Sequence, residues 1–287
     1  MFKYCTILSL ILFSIHSLSC KENSFVKENS TYTLNDSEVS LMLGSIPPPT
    51  QMQSILSEKE YLYNSNFILK NNTQKCSSTL LLGIYACDII YTQIFSIKDD
   101  ALFMYNKMHL ISEKLKVENL LDNSKIIECI NKSENESLID QLTIDLEDLN
   151  AFYFNQNKPA ECLKIQTGEW IESLYLLTKN YQQNPSKELK DRIAEQIVIS
   201  DVLAKLFIQF EKDPEIKTIS LELNPLFDNL NKVKIVEKSI GQKDREALIE
   251  SGNDSVIPTT ESEVIVDNTQ FNKLLSSVIS ARNKLIL

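Results

Sequence analysis

The stretch between Lys75 and Lys98 constrains the fold of this chain more than any other. It reads CSSTLLLGIYACDIIYTQIFSI, and Asp88 is its only charged residue. A membrane-spanning helix takes about 20 residues, so the length is sufficient. However, Asp88, Gln93 and the Ser-Ser-Thr start are all costly in hydrocarbon. A helix that is apolar on all sides is also what the centre of a helical bundle requires. We therefore predict a buried core helix here rather than a membrane span.

The composition extends this prediction to the whole chain. Only 5 of the 287 residues are glycine, whereas β-sandwiches and doubly wound sheets need many more turn residues. We predict an all-α fold, a multi-helix bundle with a buried central helix, a flexible N-terminal tether and a polar C-terminal segment. Apolar spacing and capping residues predict further helices over residues 50–57, 99–117, 125–131, 138–153, 159–181, 186–212 and 267–287. Another helix is predicted to begin at Asp213 and to kink or split at Asn224-Pro225.

The N-terminus has the three zones of an export signal. Lys3 is followed by an apolar run from Tyr4 to Ile15, and Ser17-Leu18-Ser19 then leads into Cys20. An apolar run of this length is too short to span a bilayer of about 30 Å. The pattern predicts a lipoprotein signal peptide over 1–19 and lipid attachment at Cys20. The alternative is an ordinary secretory signal cut near Ser19, which would leave Cys20 as a plain thiol.

This signal implies a place in the cell envelope. The residues after Cys20 are Lys21 and Glu22, without the Asp that often retains lipoproteins at the inner membrane, so the outer membrane is favoured. The predicted organisation is a signal peptide (1–19), a lipidated tether (20–45), a helical domain (46–236), a polar linker (237–266) and a C-terminal helix that packs on the domain (267–287).

The charge and the reactive residues exclude several classes of function. Of 29 basic residues only Lys3 is removed with the signal, so 28 remain against 39 acidic ones, a net charge of −11. Such a chain repels phosphate backbones, which argues against nucleic-acid binding. His109 is the only histidine after the signal, and we predict no cofactor and no metal site. Four cysteines follow Cys20, and they are either free buried thiols or include one disulfide: Cys76, Cys87, Cys129 and Cys162.

Two carboxylates on strongly apolar helices form the candidate polar site. Asp88 has Tyr85 and Tyr91 on its own face of the helix, at three residues on either side. Glu172 lies on a second apolar helix with Trp170 and Tyr175 as neighbours. A buried carboxylate must be paired, hydrogen-bonded or protonated. Two facing carboxyls could hold one proton or one cation, or act as acid and base. The alternative is an Asp–Tyr hydrogen bond that fixes the register of two helices.

Several of these motifs resemble a group of uncharacterised helical lipoproteins of Bacteroidota. Those proteins carry IPSP, LGxYGxDLxY and GGWxExLY motifs and end in a helix with an Ile-Arg pair. The corresponding residues here are Ile46-Pro47-Pro48-Pro49, Leu82 to Tyr91, Gly168 to Tyr175 and Ala281-Arg282. This chain has Ala86 and Glu169 where the group has its second glycines. The resemblance implies export and a helical fold, and it draws attention to Tyr85, Asp88, Trp170 and Glu172.

The leading functional hypothesis is a lipid-anchored, non-enzymatic helical domain. Its partners would be the membrane, through the lipid, and an envelope protein or small ligand. One alternative is an enzyme that uses Asp88 and Glu172 as an acid/base pair, and another is a purely structural component of the envelope. A cleft that joins the two carboxylates would favour binding or catalysis, whereas a packed core around them would favour a structural role.

Overall fold

The computed structural model describes residues 33–57, 61–71, 76–239 and 260–286. The chain divides into two compact units, residues 1–45 and residues 46–287. The predicted signal peptide and Cys20 lie outside the described residues. In the first unit, helix α1 spans Asp36–Gly44, within the segment predicted to be a flexible tether. Asn35 begins it with a capping box, because its side chain accepts from Glu38 N and its own N–H donates to the Glu38 carboxylate.

The second unit is an all-α multi-helix bundle with one pair of strands among its described residues, which confirms the predicted fold class. Its helices are α2 (Gln51–Leu56), α3 (Ser78–Ile94), α4 (Lys98–Leu115), α5 (Asn123–Lys132), α6 (Asn135–Asn155), α7 (Pro159–Gln183), α8 (Lys187–Ala194), α9 (Ile197–Gln209), α10 (Pro214–Leu230) and α11 (Asn268–Ile286). A 3₁₀ turn spans Glu118–Leu120, and the strands are β1 (Lys234–Ser239) and β2 (Thr260–Ile265).

Helix α3 is the centre of the bundle, as its apolar composition predicted. Every residue from Thr79 to Gln93 is buried, and α3 packs chiefly against α4 and α7. None of the helices in the described part of the chain is long and apolar enough to cross a membrane. The hydrophobic burial of α3 is therefore provided by neighbouring helices.

Two glycines set the distance between α3 and α7. A β-carbon on Gly83 would stand 2.1 Å from the carbonyl oxygen of Ile165, and one on Gly168 would stand 2.2 Å from that of Leu80. No real side chain tolerates such distances, so the two backbones are in direct contact. Successive contacts advance along both helices together, from Gly83–Gly168 to Cys87–Ser173. The two helices therefore run in the same direction.

The C-terminal helix α11 packs back onto the bundle, against α10 and α7. Its buried face includes Phe271, Leu274, Val278 and Leu285, the stripe that the sequence predicts. The predicted polar linker, 237–266, overlaps two strands, because β1 and β2 pair there in antiparallel register from Lys234–Ile265 to Ser239–Thr260. Residues 240–259 lie outside the described part of the chain.

Two further helix predictions are corrected. The single helix predicted over 186–212 is two helices, α8 and α9, separated at Glu195 and Gln196. This break brings the Gln196 side chain within 2.9 Å of the Trp170 indole nitrogen, which donates to it. Helix α10 is not split at Pro225. Pro225 removes the donor for the Leu221 carbonyl, but Leu221 is exposed, so water can reach that side of the helix.

Candidate functional site

Asp88 and Glu172 meet in the core, one from α3 and one from α7. Both residues are 0 % exposed, and their carboxyl groups lie within hydrogen-bonding reach of each other. The Oδ2 atom of Asp88 accepts from Leu69 N at 2.8 Å, which ties the segment over residues 61–71 to α3. The close approach of α3 and α7 at Gly83 and Gly168 makes this meeting possible, because both carboxyls lie within about one and a half turns of these glycines along their own helices.

Arg282 of α11 completes this group. Its Nε donates to Glu172 Oε2 and its Nη2 to Glu172 Oε1, each at 2.8 Å. Its guanidinium also lies over the Tyr175 ring, 4.4 Å from the centroid. Such a two-point pair is the strong form of an Arg–carboxylate contact. We call Asp88, Glu172 and Arg282 the core cluster.

The core cluster contains one cation and two acids, so one acid must be neutral. Both oxygens of Glu172 already accept from Arg282, and Glu172 is therefore the carboxylate. No N–H or O–H of the described residues donates to Asp88 Oδ1, and two carboxyl groups share a hydrogen bond only when one is protonated. Burial raises the pKa of Asp88 well above its usual value, and the negative charge of Glu172 raises it further. The positive charge of Arg282 and the hydrogen bond from Leu69 N lower this pKa, but by less. Asp88 thus carries the proton.

Of the aromatic residues predicted for this site, the structure places the tyrosines near the core cluster and Trp170 outside it. Tyr175 contacts Arg282. The pKa of Tyr85 is raised chiefly by burial and further by the nearby Asp88 carboxyl. The pKa of Tyr91 is also raised, chiefly by burial and in part by the Asp88 charge, and the Tyr91 hydroxyl accepts from Asn64 N at 3.4 Å. Trp170 is not part of the site, because two residues turn an α-helix by about 200°. Its ring packs 6.0 Å from that of Phe227.

A second charged group lies at the edge of the bundle and was not predicted from the sequence. The buried ammonium of Lys164 lies 3.0 Å from Glu161, 3.1 Å from Asp213 and 2.8 Å from Glu215. The Thr79 hydroxyl also donates to Glu161, at 2.8 Å. Burial lowers the pKa of Lys164, but hydrogen bonds to the three acids outweigh it and the pKa rises. We call Lys164 and its three acids the rim cluster.

Sequence reasoning missed three buried charged residues on α7 and α11, and one of them had left a readable signal. Arg282 follows Leu274 and Val278 at four-residue spacing, so it stands on the apolar stripe of α11, where a charged side chain needs a buried partner. Lys164 and Glu169 lie on α7, which is buried over most of its circumference. The absence of a clear polar face removes the periodic signal that would have marked them.

The structure places the remaining reactive groups away from any ligand-binding arrangement. Cys76, Cys87, Cys129 and Cys162 are free thiols. Within the described ranges, no three or more His, Cys, Asp or Glu side chains are grouped so as to hold a metal ion. One surface depression is lined by Asn229, Thr269, Asn272, Lys273 and Ser276, and a second by Lys187, Glu188, Asp191, Arg192 and Glu195. The candidate residues line neither depression.

Comparison of the chain with protein-family models, with curated protein sequences and with solved structures finds no match. The function must therefore be argued from the sequence and the geometry.

Proposed function

We propose that this chain is a lipid-anchored cell-envelope protein whose helical domain acts by binding an envelope partner through its surface. The observation that carries the proposal is the closure of the core cluster. Glu172 has both oxygens occupied by Arg282, and Asp88 is sealed beside it. The two carboxyls best placed for acid/base chemistry thus stabilise the domain. An interior filled in this way favours a macromolecular partner over a small buried ligand.

The N-terminal sequence supports the anchor. Ser17-Leu18-Ser19-Cys20 follows a short apolar run, and the motifs shared with the Bacteroidota lipoproteins agree with export. Lipid on Cys20 would hold the domain at the membrane, with the outer membrane favoured by Lys21-Glu22. A single acyl chain gives only marginal membrane binding, so the multiple chains of a bacterial lipoprotein anchor would be needed for stable attachment.

Metabolic labelling with an alkyne fatty acid tests the anchor. The unaltered chain should label and remain in the membrane fraction, whereas Cys20→Ala should do neither. Cys76→Ala is the matched control, because it removes a cysteine of the helical domain and should label like the unaltered chain. Labelling of Cys20→Ala, with retention in the membrane, would contradict the proposal.

A purely structural envelope component is the second candidate, and the same core cluster favours it. The two candidates differ in whether the surface recognises a partner. Site-specific photo-crosslinking in cells, from probes placed one at a time on exposed positions such as Leu110 and Ile208, separates them. A discrete crosslinked product from one face supports partner binding, whereas no product from any exposed face supports the structural role.

A further inference from the structure

The contact between α3 and α7 contains another acid that has no cation. Glu169 lies one turn before Glu172 and is only 5 % exposed. Its Cγ lies 3.1 Å from the point where a β-carbon on Gly83 would stand, so its side chain occupies the room that this glycine leaves. No described group hydrogen-bonds to its Oε1 atom. A carboxylate in such a place would be very costly unless it were neutral.

The neighbours of Glu169 offer it no compensating charge. The Cys87 thiol donates to its backbone carbonyl and lies 3.2 Å from the Ser173 hydroxyl, and Arg282 is already engaged by Glu172. Burial alone raises the pKa of Glu169 to about 8. The interface therefore contains two acids, Asp88 and Glu169, whose raised pKa values favour the protonated form.

The groups that face Asp88 come from every element packed on it. Helix α7 supplies the negative charge of Glu172, and α11 supplies the positive charge of Arg282. The segment over residues 61–71 supplies the Leu69 N–H, whereas the Tyr63 hydroxyl in this segment donates to Asp100. Tyr85, Tyr91 and Tyr175 also lie close enough for the Asp88 charge to raise their pKa values, after burial. With only one cation in this group, loss of the Asp88 proton would leave a net negative charge sealed inside the bundle.

We propose that protonation controls the contact between α3 and α7. The contact is closed while Asp88 and Glu169 are protonated, and it opens when they lose their protons. The helix backbones touch at Gly83 and Gly168, which leaves no room for water between the two helices at these positions. An ionised carboxylate needs hydration or a partner, and it obtains hydration here only by opening the contact. This inference is independent of the envelope anchor and of any partner.

The sign of the pH dependence follows from proton linkage. The pKa of Glu169 is about 8 in the closed state and 4.5 for the exposed group, so between these values the closed state binds more protons than the open one. Opening therefore becomes more favourable as the pH rises through this range. For this group alone, the open fraction should increase roughly 20-fold between about pH 6.5 and pH 8.5.

Alkylation of the cysteines, read by peptide mass spectrometry, measures this opening in the full chain. The Cys87 sulfur lies within the α3–α7 contact, whereas Cys162 is buried elsewhere and donates to the Asn150 carbonyl. The ratio of Cys87 to Cys162 labelling cancels the general effect of pH on thiols. We expect this ratio to rise at least 10-fold from pH 6.5 to 8.5 in the unaltered protein, and much less in Glu169→Gln.

Two further variants decide whether both acids act. Asp88→Asn mimics the protonated carboxyl, since its amide can donate to Glu172 while its oxygen accepts from Leu69 N. Combined with Glu169→Gln it should make the ratio independent of pH. Glu188→Gln, which changes a half-buried acid on α8, should behave like the unaltered protein. Parallel labelling of Cys87 and Cys162 at every pH, or an unchanged rise in the double variant, would overturn the proposal. Neither result would bear on fatty-acid labelling at Cys20.

Discussion

The core cluster and the rim cluster solve the same electrostatic problem in two different ways. Each has more acids than cations: Asp88 and Glu172 accompany Arg282, which contacts Glu172, and three acids contact Lys164. In the core cluster both acids are 0 % exposed. In the rim cluster the Glu215 side chain is 52 % exposed, while those of Glu161 and Asp213 are each 25 % exposed.

This difference in exposure decides how the surplus negative charge is accommodated. Water reaches the rim acids and screens their charges, so three acids can surround one lysine without a sealed surplus of charge. No water reaches the core acids, so the surplus is removed by a proton on Asp88. The comparison shows that exposure, and not the number of charges, determines whether a buried group must bind a proton.

The largest effect should come from removing the core cation. Arg282→Met would leave the Glu172 carboxylate buried without a partner, which costs about 3–5 kcal/mol. Urea unfolding measures this free energy. Lys284→Met is the matched control on the same helix, since Lys284 pairs with Glu222 at the surface, 3.2 Å away. Exposed pairs contribute about 0–1 kcal/mol. Equal losses in the two variants would contradict the sealed state of the core cluster.

A double variant sharpens this result. In Glu172→Gln with Arg282→Met no charge of the pair remains, so most of the stability lost in the single variant should return. The coupling from the double-mutant cycle should be at least about 2 kcal/mol in favour of the pair. A cycle with no coupling would mean that Arg282 acts through its packing on Tyr175 alone.

The next largest effect should come from opening the α3–α7 contact sterically. Gly83→Ala places a methyl group against the Ile165 carbonyl, so the helices must move apart, at a cost of about 1–3 kcal/mol or more. Water would then gain access to the core cluster, and the two clusters would become more alike. Gly44→Ala is the control, because its β-carbon would meet no described atom within 4 Å. Unfolding by urea at neutral pH compares the two, and equal stabilities would refute direct backbone contact.

Removing the rim cation should have a smaller effect than removing the core cation. Lys164→Met leaves three acids close together, but their exposed oxygens can turn to water, so we expect a loss of about 1–2 kcal/mol. Lys187→Met, which breaks an exposed pair with Asp191, is the control. A loss as large as that of Arg282→Met would erase the distinction between the clusters.

Asp145 should give the smallest effect and provides an intermediate case. It is buried without a cation, and it accepts from Asp122 N at 3.1 Å and from the Gln141 amide at 2.8 Å. Burial raises its pKa to about 6, so its contribution to stability is fully present below its usual pKa of 3.8 and falls as the pH rises to about 6. Asp145→Asn should flatten this part of the stability curve by about 1 kcal/mol. Glu147→Gln, which changes an exposed acid on the same helix, should leave the slope unchanged in thermal melts from pH 4 to 6.5.

The sequence determined the helical architecture because the relevant signals are local. The uniformly apolar run around Asp88 required burial on all sides, and the stripe from Leu138 to Tyr153 on α6 marked a face that the structure buries. Local signals failed where neighbours decided the outcome. The break between α8 and α9 has no proline or glycine to mark it, and it leaves Gln196 bonded to Trp170.

The same contrast between local signals and tertiary contacts applies to the candidate site. Asp88 and Glu172 could be singled out because a charge on an apolar helix must be compensated, whatever the fold. Their partner could not be identified in the same way, since Arg282 is 110 residues from Glu172 in the chain. The sequence alone thus determined that these carboxyls needed compensation. Only the packing of α11 on α7 decided that Glu172 receives it from Arg282 and Asp88 from a proton, because charge pairing and exclusion of water depend on distances that exist only in the folded chain.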